Sequence, residues 1–382
     1  MEREVIIVGA GPSGSAAAIS LVKRGRDVLL IDRQGFPRDK ACGDGIPANA
    51  VEVLYSLGME ERFKEANFYP VDSLLLSSPR DYVLEAELDP GKRYGASSYV
   101  VPRLDFDALI QEHAVDTGAE FLQASVKKAI VEDGIVKGVI ARVNGQETEI
   151  RSKVVIGADG VTSTIARAVR PDKHEDAHRA VALRCYIQDI DILPHEVEFY
   201  LYRGILPGYA WIFPLGEGKA NLGLGMRLDK FRDSTRTLEE LVDVFLEMPT
   251  IKKRLHRGGD LKDISVWQLN FGSQDMTRAY DGAVLIGDAA GLINPLTGGG
   301  IHNGLQSAMI AADVINQALT EDDVSNERFQ EYDTLLQQRM DAGMKKSYNI
   351  QRSLLYFPFW VDLLVKLGGS NSSLAQTFVS KL

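Results

Sequence analysis

The 382-residue sequence predicts an α/β protein: a doubly wound sheet carrying a β-meander, an antiparallel β-sheet domain beside it, and a helical C-terminus. Three observations predict this. Two glycine-rich turns at opposite ends of the chain each follow a short apolar run and precede a helical pattern, the strand–turn–helix rhythm of a parallel sheet. Between them, strand-like runs come in clusters divided by turn signals and not by helices. The last third carries helical spacing with few breakers.

In the first turn, Val5-Ile6-Ile7-Val8 reads as a buried strand, Gly9-Ala10-Gly11-Pro12-Ser13-Gly14 as the turn, and the pattern after it as a helix running to Gly25. A pyrophosphate binds at such a helix N-terminus. Gly9 allows the tight turn, Gly11 lets backbone N–H groups reach the phosphates, and Gly14 lets helix and strand pack closely; Pro12 and Ser13 share the same turn. A second apolar strand, Asp27-Val28-Leu29-Leu30-Ile31, ends at Asp32, eighteen residues after Gly14 and just before Arg33. A carboxylate there accepts a hydrogen bond from a ribose hydroxyl, which completes a dinucleotide fingerprint of the Rossmann type.

Residues 125–132, 135–143 and 147–156 read as three strands joined at Asp133-Gly134 and Asn144-Gly145, a β-meander beside that sheet. The runs Ala180–Ile190, Val197–Tyr202, Tyr209–Pro214, Ala220–Met226 and Ile264–Phe271 predict a largely antiparallel sheet with one face left to be covered or used. Leu222-Gly223-Leu224-Gly225-Met226 is no second fingerprint, because no helix follows; its glycines mark the close approach of another backbone. Ile301–Leu319 and Asn326–Lys346 read as helices. The expected organisation is a discontinuous nucleotide-binding domain (1–70, 98–172 and 275–320), a substrate-binding β-domain (71–97 and 173–274) and a helical region (321–382).

With 45% apolar and 25% charged residues the composition is that of a globular enzyme. A net charge of -10 without a long basic run argues against nucleic acid as a partner. Two cysteines, Cys42 and Cys185, suggest a reducing compartment, and no secretory leader precedes the first strand, so a cytoplasmic protein is expected. Leu354-Leu355-Tyr356-Phe357-Pro358-Phe359-Trp360-Val361, flanked by Arg352 and Lys366, would suit a helix packed on the core or one touching a membrane interface.

Two further apolar strands deliver carboxylates to turns: Val154-Val155-Ile156-Gly157-Ala158-Asp159-Gly160, and Ala283-Val284-Leu285-Ile286-Gly287-Asp288. Asp288 can bind the hydroxyls of a linear polyol, and a helix opening near Gly300 presents N–H groups to an electron-rich ring edge. Together these motifs, spread over residues 5–304, resemble the FAD-binding fold of the para-hydroxybenzoate hydroxylase type. The resemblance implies FAD as cofactor, with Gly9, Gly11, Gly14 and Asp32 on the ADP half, Arg103 on the diphosphate side and the Val126 backbone at the adenine. It places Asp159 and Gly160 near the phosphates, Gly287 and Asp288 at the ribityl or phosphate, and Pro295, Gly298, Gly299, Gly300 and Ile301 along the flavin. One spacing departs from the hydroxylase form: Arg167 stands four residues past Ser163 and not three.

Lys40-Ala41-Cys42-Gly43-Asp44-Gly45-Ile46, Pro207-Gly208-Tyr209-Ala210-Trp211-Ile212-Phe213-Pro214 and Asn294–Ile301 narrow the resemblance to the geranylgeranyl reductase family. That implies reduction of carbon–carbon double bonds in a prenyl or similar apolar chain by hydride from reduced flavin, with NAD(P)H or a ferredoxin-like protein as electron donor. It puts Cys42 and Gly43 near the flavin, where the thiol would orient substrate or relay a proton. A strand projects Tyr209, Trp211 and Phe213 to one face, as a wall for substrate or as plain core filling. His302 invites a general-acid role that the helix dipole opposes, and no residue cluster has metal-ligand spacing. Two other readings stand beside this one. A monooxygenase or halogenase would use the same reduced flavin with oxygen, although the Trp-x-Trp-x-Ile-Pro segment of halogenases survives here only as Trp211 and Pro214. A flavin- and lipid-binding protein without turnover is the other.

Overall fold

The run Glu2–Val8 forms the centre of an eight-stranded sheet, because it is apolar enough to be buried on both faces. It pairs in parallel with Val28–Asp32 and with Gln146–Gly157, and the sheet continues to Glu120–Gln123 on one side and to Ala283–Leu285 and Ala279–Tyr280 on the other. The computed structural model describes residues 2–91, 93–370 and 375–376. Ser125–Glu132 and Ile135–Val143 form the expected meander, whose third strand runs on into the parallel sheet. Register decides where the turns fall. Val8 lies level with Ile31 and Gly157, and Gly157 with Leu285, so the chain leaves all four strands at one carboxyl edge.

Helices Pro12–Val22, Arg103–Thr117 and Ile301–Glu321 pack together against this sheet. A seven-stranded sheet forms the second layer, in the order Leu255–Asn270, Arg179–Ile190, Lys219–Arg227, Tyr209–Gly216, Glu196–Tyr200, Ser73–Ser77, Val83–Glu87. It is antiparallel except where Glu196–Tyr200 meets Ser73–Ser77. One face is covered by helix Leu238–Leu246, whose Thr237–Glu240 capping box fixes its start and whose Leu241 and Phe245 pack with Ala210 and Ile212. The other face turns toward the first sheet.

Two expectations need correction, and a third, the close backbone approach at Gly223, is extended. The strand expected at Ile264–Phe271 begins at Leu255 and ends at Asn270, since pairing with Arg179–Ile190 continues through two register shifts. The helix expected to stop at Lys346 passes through a wide turn at Gln337–Asp341, where Asp341 pairs with buried Arg278, and continues to Tyr356 before Pro358 starts a new helix to Gly369. Gly223 makes room for a side chain as well as a backbone: its missing Cβ would lie 2.3 Å from both the Leu183 carbonyl oxygen and the Trp211 ring. Residues 371–374 and 377–382 of the expected helical region lie outside the described residues.

Candidate active site

A cavity of about 1120 Å³ opens between the carboxyl edge of the first sheet and the inner face of the second. At its nucleotide end, helix Pro12–Val22 starts at Gly11 with no side chain capping its first amides and no acid in its first turn. Two positions of the glycine turn, Gly9 and Gly14, admit only glycine. A Cβ on Gly14 would fall 1.8 Å from the Gly9 carbonyl oxygen, and one on Gly9 (φ +103°) 2.3 Å from the Ala158 oxygen. Asp32 is fixed by this turn, accepting from Ala10 N at 2.9 Å and from Gln34 N at 3.0 Å. Asp159 accepts from the Ser163 hydroxyl and from Thr164 N, and burial pushes its carboxyl up against those bonds. At the far end, helix Ile301–Glu321 starts at Gly300, also uncapped and without an acid in its first turn. Two bare helix N-termini opening into one cavity fit a ligand with a pyrophosphate at one place and an electron-rich ring edge at another, as FAD has.

Gly9, Gly11, Pro12, Ser13, Asp32, Arg33, Val126, Asp159 and Gly160 line the nucleotide end. Cys42, Gly43, Asp288, Pro295, Gly298, Gly299, Gly300, Ile301 and His302 line the remainder. Gly14 and Gly287, expected to touch cofactor, do not line it. Both are packing positions, Gly287 (φ +56°) because a Cβ would meet Ser13 Oγ at 2.5 Å. Arg103 reaches the cavity with its charge already paired: Asp107 accepts from its Nη2 at 2.6 Å and from Arg38 at 2.6 Å.

Asp288 pairs with Lys40 Nζ at 3.0 Å. Burial resists its ionisation, but Lys40 and Arg103 outweigh burial and hold its carboxyl below the usual range. Burial pushes the Cys42 thiol up, with the Asp44 charge adding and Arg103 and Lys40 opposing, which disfavours the thiolate. Burial pushes His302 down and keeps it neutral.

The second sheet supplies the opposite wall. Tyr209, Trp211 and Phe213 face the cavity, while Ala210 and Ile212 face helix Leu238–Leu246; both functions of the strand, wall and core, are served by its alternation. Phe199, opposite Trp211, meets Tyr209 and Phe213 edge-on at 5.3 and 5.2 Å. The Tyr209 hydroxyl donates to the Thr297 carbonyl, joining the wall to the second glycine turn.

Sequence reasoning missed a polar network behind this wall. Asp44, fully buried at φ +63°, accepts from the Tyr186 hydroxyl at 2.8 Å and from Asn221 Nδ2 at 2.7 Å. The same Asn221 amide donates to the Cys42 carbonyl at 2.8 Å, and its oxygen accepts from Trp211 Nε1 at 2.8 Å. One asparagine thereby fixes the Cys42 loop to the aromatic strand. Burial, partly offset by Tyr186 and Asn221, pushes the Asp44 carboxyl up to about 6. The available signal was a polar residue inside an apolar strand, as at Ala220-Asn221-Leu222 and again at Leu183-Arg184-Cys185, where buried Arg184 pairs with Asp39 at 2.6 Å.

The FAD binding domain family is matched over residues 2–346. This chain belongs to that family. The FAD-binding chain is 35% identical over 321 residues to the menaquinone reductase of Mycobacterium tuberculosis, covering 82% of this chain and 76% of that one. It is 34% identical over 337 residues to the digeranylgeranylglycerophospholipid reductase of Methanosarcina acetivorans, covering 86% and 78%. A crystal structure of a geranylgeranyl bacteriochlorophyll reductase-like protein from Thermoplasma acidophilum superimposes with a TM-score of 0.84 at 28% identity, over 96% of this chain and 91% of that one. The protein is an FAD-dependent oxidoreductase of the geranylgeranyl reductase-like group.

Proposed function

We propose that this flavoprotein reduces carbon–carbon double bonds of a prenyl chain, or of a similar apolar substrate, held between the aromatic wall and the glycine turn at Asn294–Ile301. The observation that carries the reading is the wall itself: Tyr209, Trp211 and Phe213 stand across the cavity from the glycines, and Tyr209 is tied to them through Thr297. The glycine turns and Asp32 would hold FAD, which when bound and reduced would supply hydride chemistry to an alkene carbon. The chain's own residues hold the substrate and supply the second hydrogen. Aromatic faces bury the apolar chain and keep water from it, which aligns an alkene that has no polar handle. Cys42 carries a proton at Sγ beside them, on a loop that Asn221 and Asp44 hold still. The curated relatives named as reductases of menaquinone and of a digeranylgeranyl lipid support this substrate class. The electron donor is proposed to be NAD(P)H or a small iron–sulfur protein.

The test is anaerobic. The purified protein is reduced with dithionite, given geranylgeranyl diphosphate or another prenyl lipid, and the product mass is followed. Two hydrogens gained per double bond, in step with flavin reoxidation, is the expected result. No mass change, with oxygen-dependent reoxidation accelerated by an aromatic or terpenoid additive, would move the protein to the monooxygenases. In the same assay Cys42→Ala with full flavin content should slow reduction by roughly tenfold or more; unchanged turnover would remove Cys42 from the proton path.

A further inference from the structure

We infer that the outer face of the C-terminal helices docks on the surface of an anionic lipid bilayer, from which the cavity takes its substrate. The second half of this statement rests on the prenyl-chain reading; the first does not.

Helix Pro358–Gly369 is two-faced. Val361, Asp362 and Val365 are buried, whereas Phe359, Trp360, Leu363, Leu364 and Leu367 are exposed, Phe359 by 54% and Trp360 by 50%. The exposed set falls at i, i+1, i+4, i+5 and i+8, one stripe along the helix, and Tyr356 and Phe357 extend it. Of the fourteen large apolar side chains exposed among the described residues, seven lie between Tyr356 and Leu367. Single exposed apolar side chains are ordinary, but a contiguous aromatic patch marks an interaction surface. A helix of twelve residues is about 18 Å long, too short to cross a bilayer, and no helix among the described residues is long and apolar enough to do so.

Charge selects the occupant. The chain carries -10 overall, yet Ala342–Gly369 carries Lys345, Lys346, Arg352 and Lys366 against a single acid. That acid, Asp362, is buried beside Arg80: it accepts from Ser78 Oγ at 2.9 Å and from Arg80 N at 3.0 Å and lies 3.6 Å from the Arg80 guanidinium, while Lys345 pairs with Asp275 at 2.8 Å, so Lys346, Arg352, Lys366 and Arg203 carry the basic character of this face. Arg80 and Arg203 line a notch of about 300 Å³ beside Leu355 and Phe359. A basic rim around an aromatic stripe complements anionic lipid headgroups, and would repel the same rim on a second copy of this chain. The inner face of the helix connects this surface to the site: Val361 and Val365 belong to the same apolar cluster as Leu74, Trp211 and Phe213, all three of which line the cavity.

The experiment is cosedimentation of the oxidised, full-length holoprotein with phosphatidylcholine vesicles, with or without phosphatidylglycerol, in the absence of substrate. Binding to the phosphatidylglycerol-containing vesicles is expected. The double variant Trp360→Glu/Leu364→Glu should lose roughly tenfold or more in binding. Its flavin absorbance and its turnover of dispersed geranylgeranyl diphosphate should be unchanged, which shows that the variant is folded. Arg80→Glu/Arg203→Glu should abolish the preference for anionic vesicles. Wild-type protein that stays in the supernatant with both vesicle types would overturn the inference. So would sedimentation-velocity data in which Trp360→Glu/Leu364→Glu breaks a dimer while vesicle binding is unaltered, since the face would then be a contact between copies. Vesicle binding needs neither reductant nor alkene, so failure of prenyl reduction leaves the docking result standing, and the converse also holds.

Discussion

The two walls of the cavity are built from different materials. The nucleotide wall is backbone: glycines whose absent Cβ atoms let helix and strand close to van der Waals contact, and helix N-termini left bare for a ligand. The substrate wall is side chain: three aromatic rings, of which Trp211 is held by an asparagine on the next strand that a buried carboxylate from another loop holds in turn. A backbone site fails sterically and all at once. A side-chain site fails one hydrogen bond at a time, so it is the wall that can be retuned without losing the fold.

The largest expected effect tests the first half of that contrast. Gly14→Val would drive a methyl-bearing Cβ into the Gly9 carbonyl, and it should destabilise the fold by at least ~3 kcal/mol and leave the purified protein without flavin absorbance. Gly11→Ala is its partner experiment. The new Cβ would meet only flexible side-chain ends, Arg38 at 3.4 Å and Asp107 at 4.0 Å, both ordinary contacts, so stability without FAD should stay within about 1 kcal/mol of wild type while flavin retention falls. Equal unfolding by both changes would show that Gly11 also serves packing and would erase the distinction.

Asp44 tests the second half. Its carboxyl titrates near 6 in the folded protein against 3.8 in an unperturbed chain, so between those values the folded state binds the extra proton. The stability it contributes is complete below pH 3.8 and is lost as pH rises through 6. Asp44→Asn removes the titration. In urea melts the variant should gain on wild type by something of the order of 3 kcal/mol from pH 4 to pH 7; a pH-independent difference would mean that Tyr186 and Asn221 hold Asp44 ionised throughout.

The smallest effect sits where the two walls meet. Tyr209→Phe removes the donor to the Thr297 carbonyl and keeps the ring, so a loss of about 1 kcal/mol is expected, read as a severalfold weaker FAD affinity with alkene turnover retained. An unchanged flavin dissociation constant would show that the turn at Asn294–Ile301 stands without the wall.

These two materials also divide what could be read in advance. The glycine turn, Asp32, the meander joined at Asp133-Gly134 and Asn144-Gly145, and the alternation of Tyr209, Trp211 and Phe213 are local patterns, each set by residues within a few positions of one another. At Gly14 and Gly287 the motif states that a Cβ is forbidden and not which neighbour forbids it; those neighbours are the Gly9 carbonyl and the Ser13 hydroxyl. Helix Asn326–Leu336 was legible, but its passage through the wide turn at Gln337–Asp341 depends on Arg278, far away in the chain.

By itself the sequence determined the strand–turn–helix units, the dinucleotide fingerprint and the aromatic stripe, since period and turn chemistry act over short range. Only the tertiary structure decided that Lys40 meets Asp288, that Asn221 ties Cys42 to Trp211, and that the stripe faces the second glycine turn. Those contacts join residues from ten to more than two hundred positions apart, and strand register and burial together choose their partners.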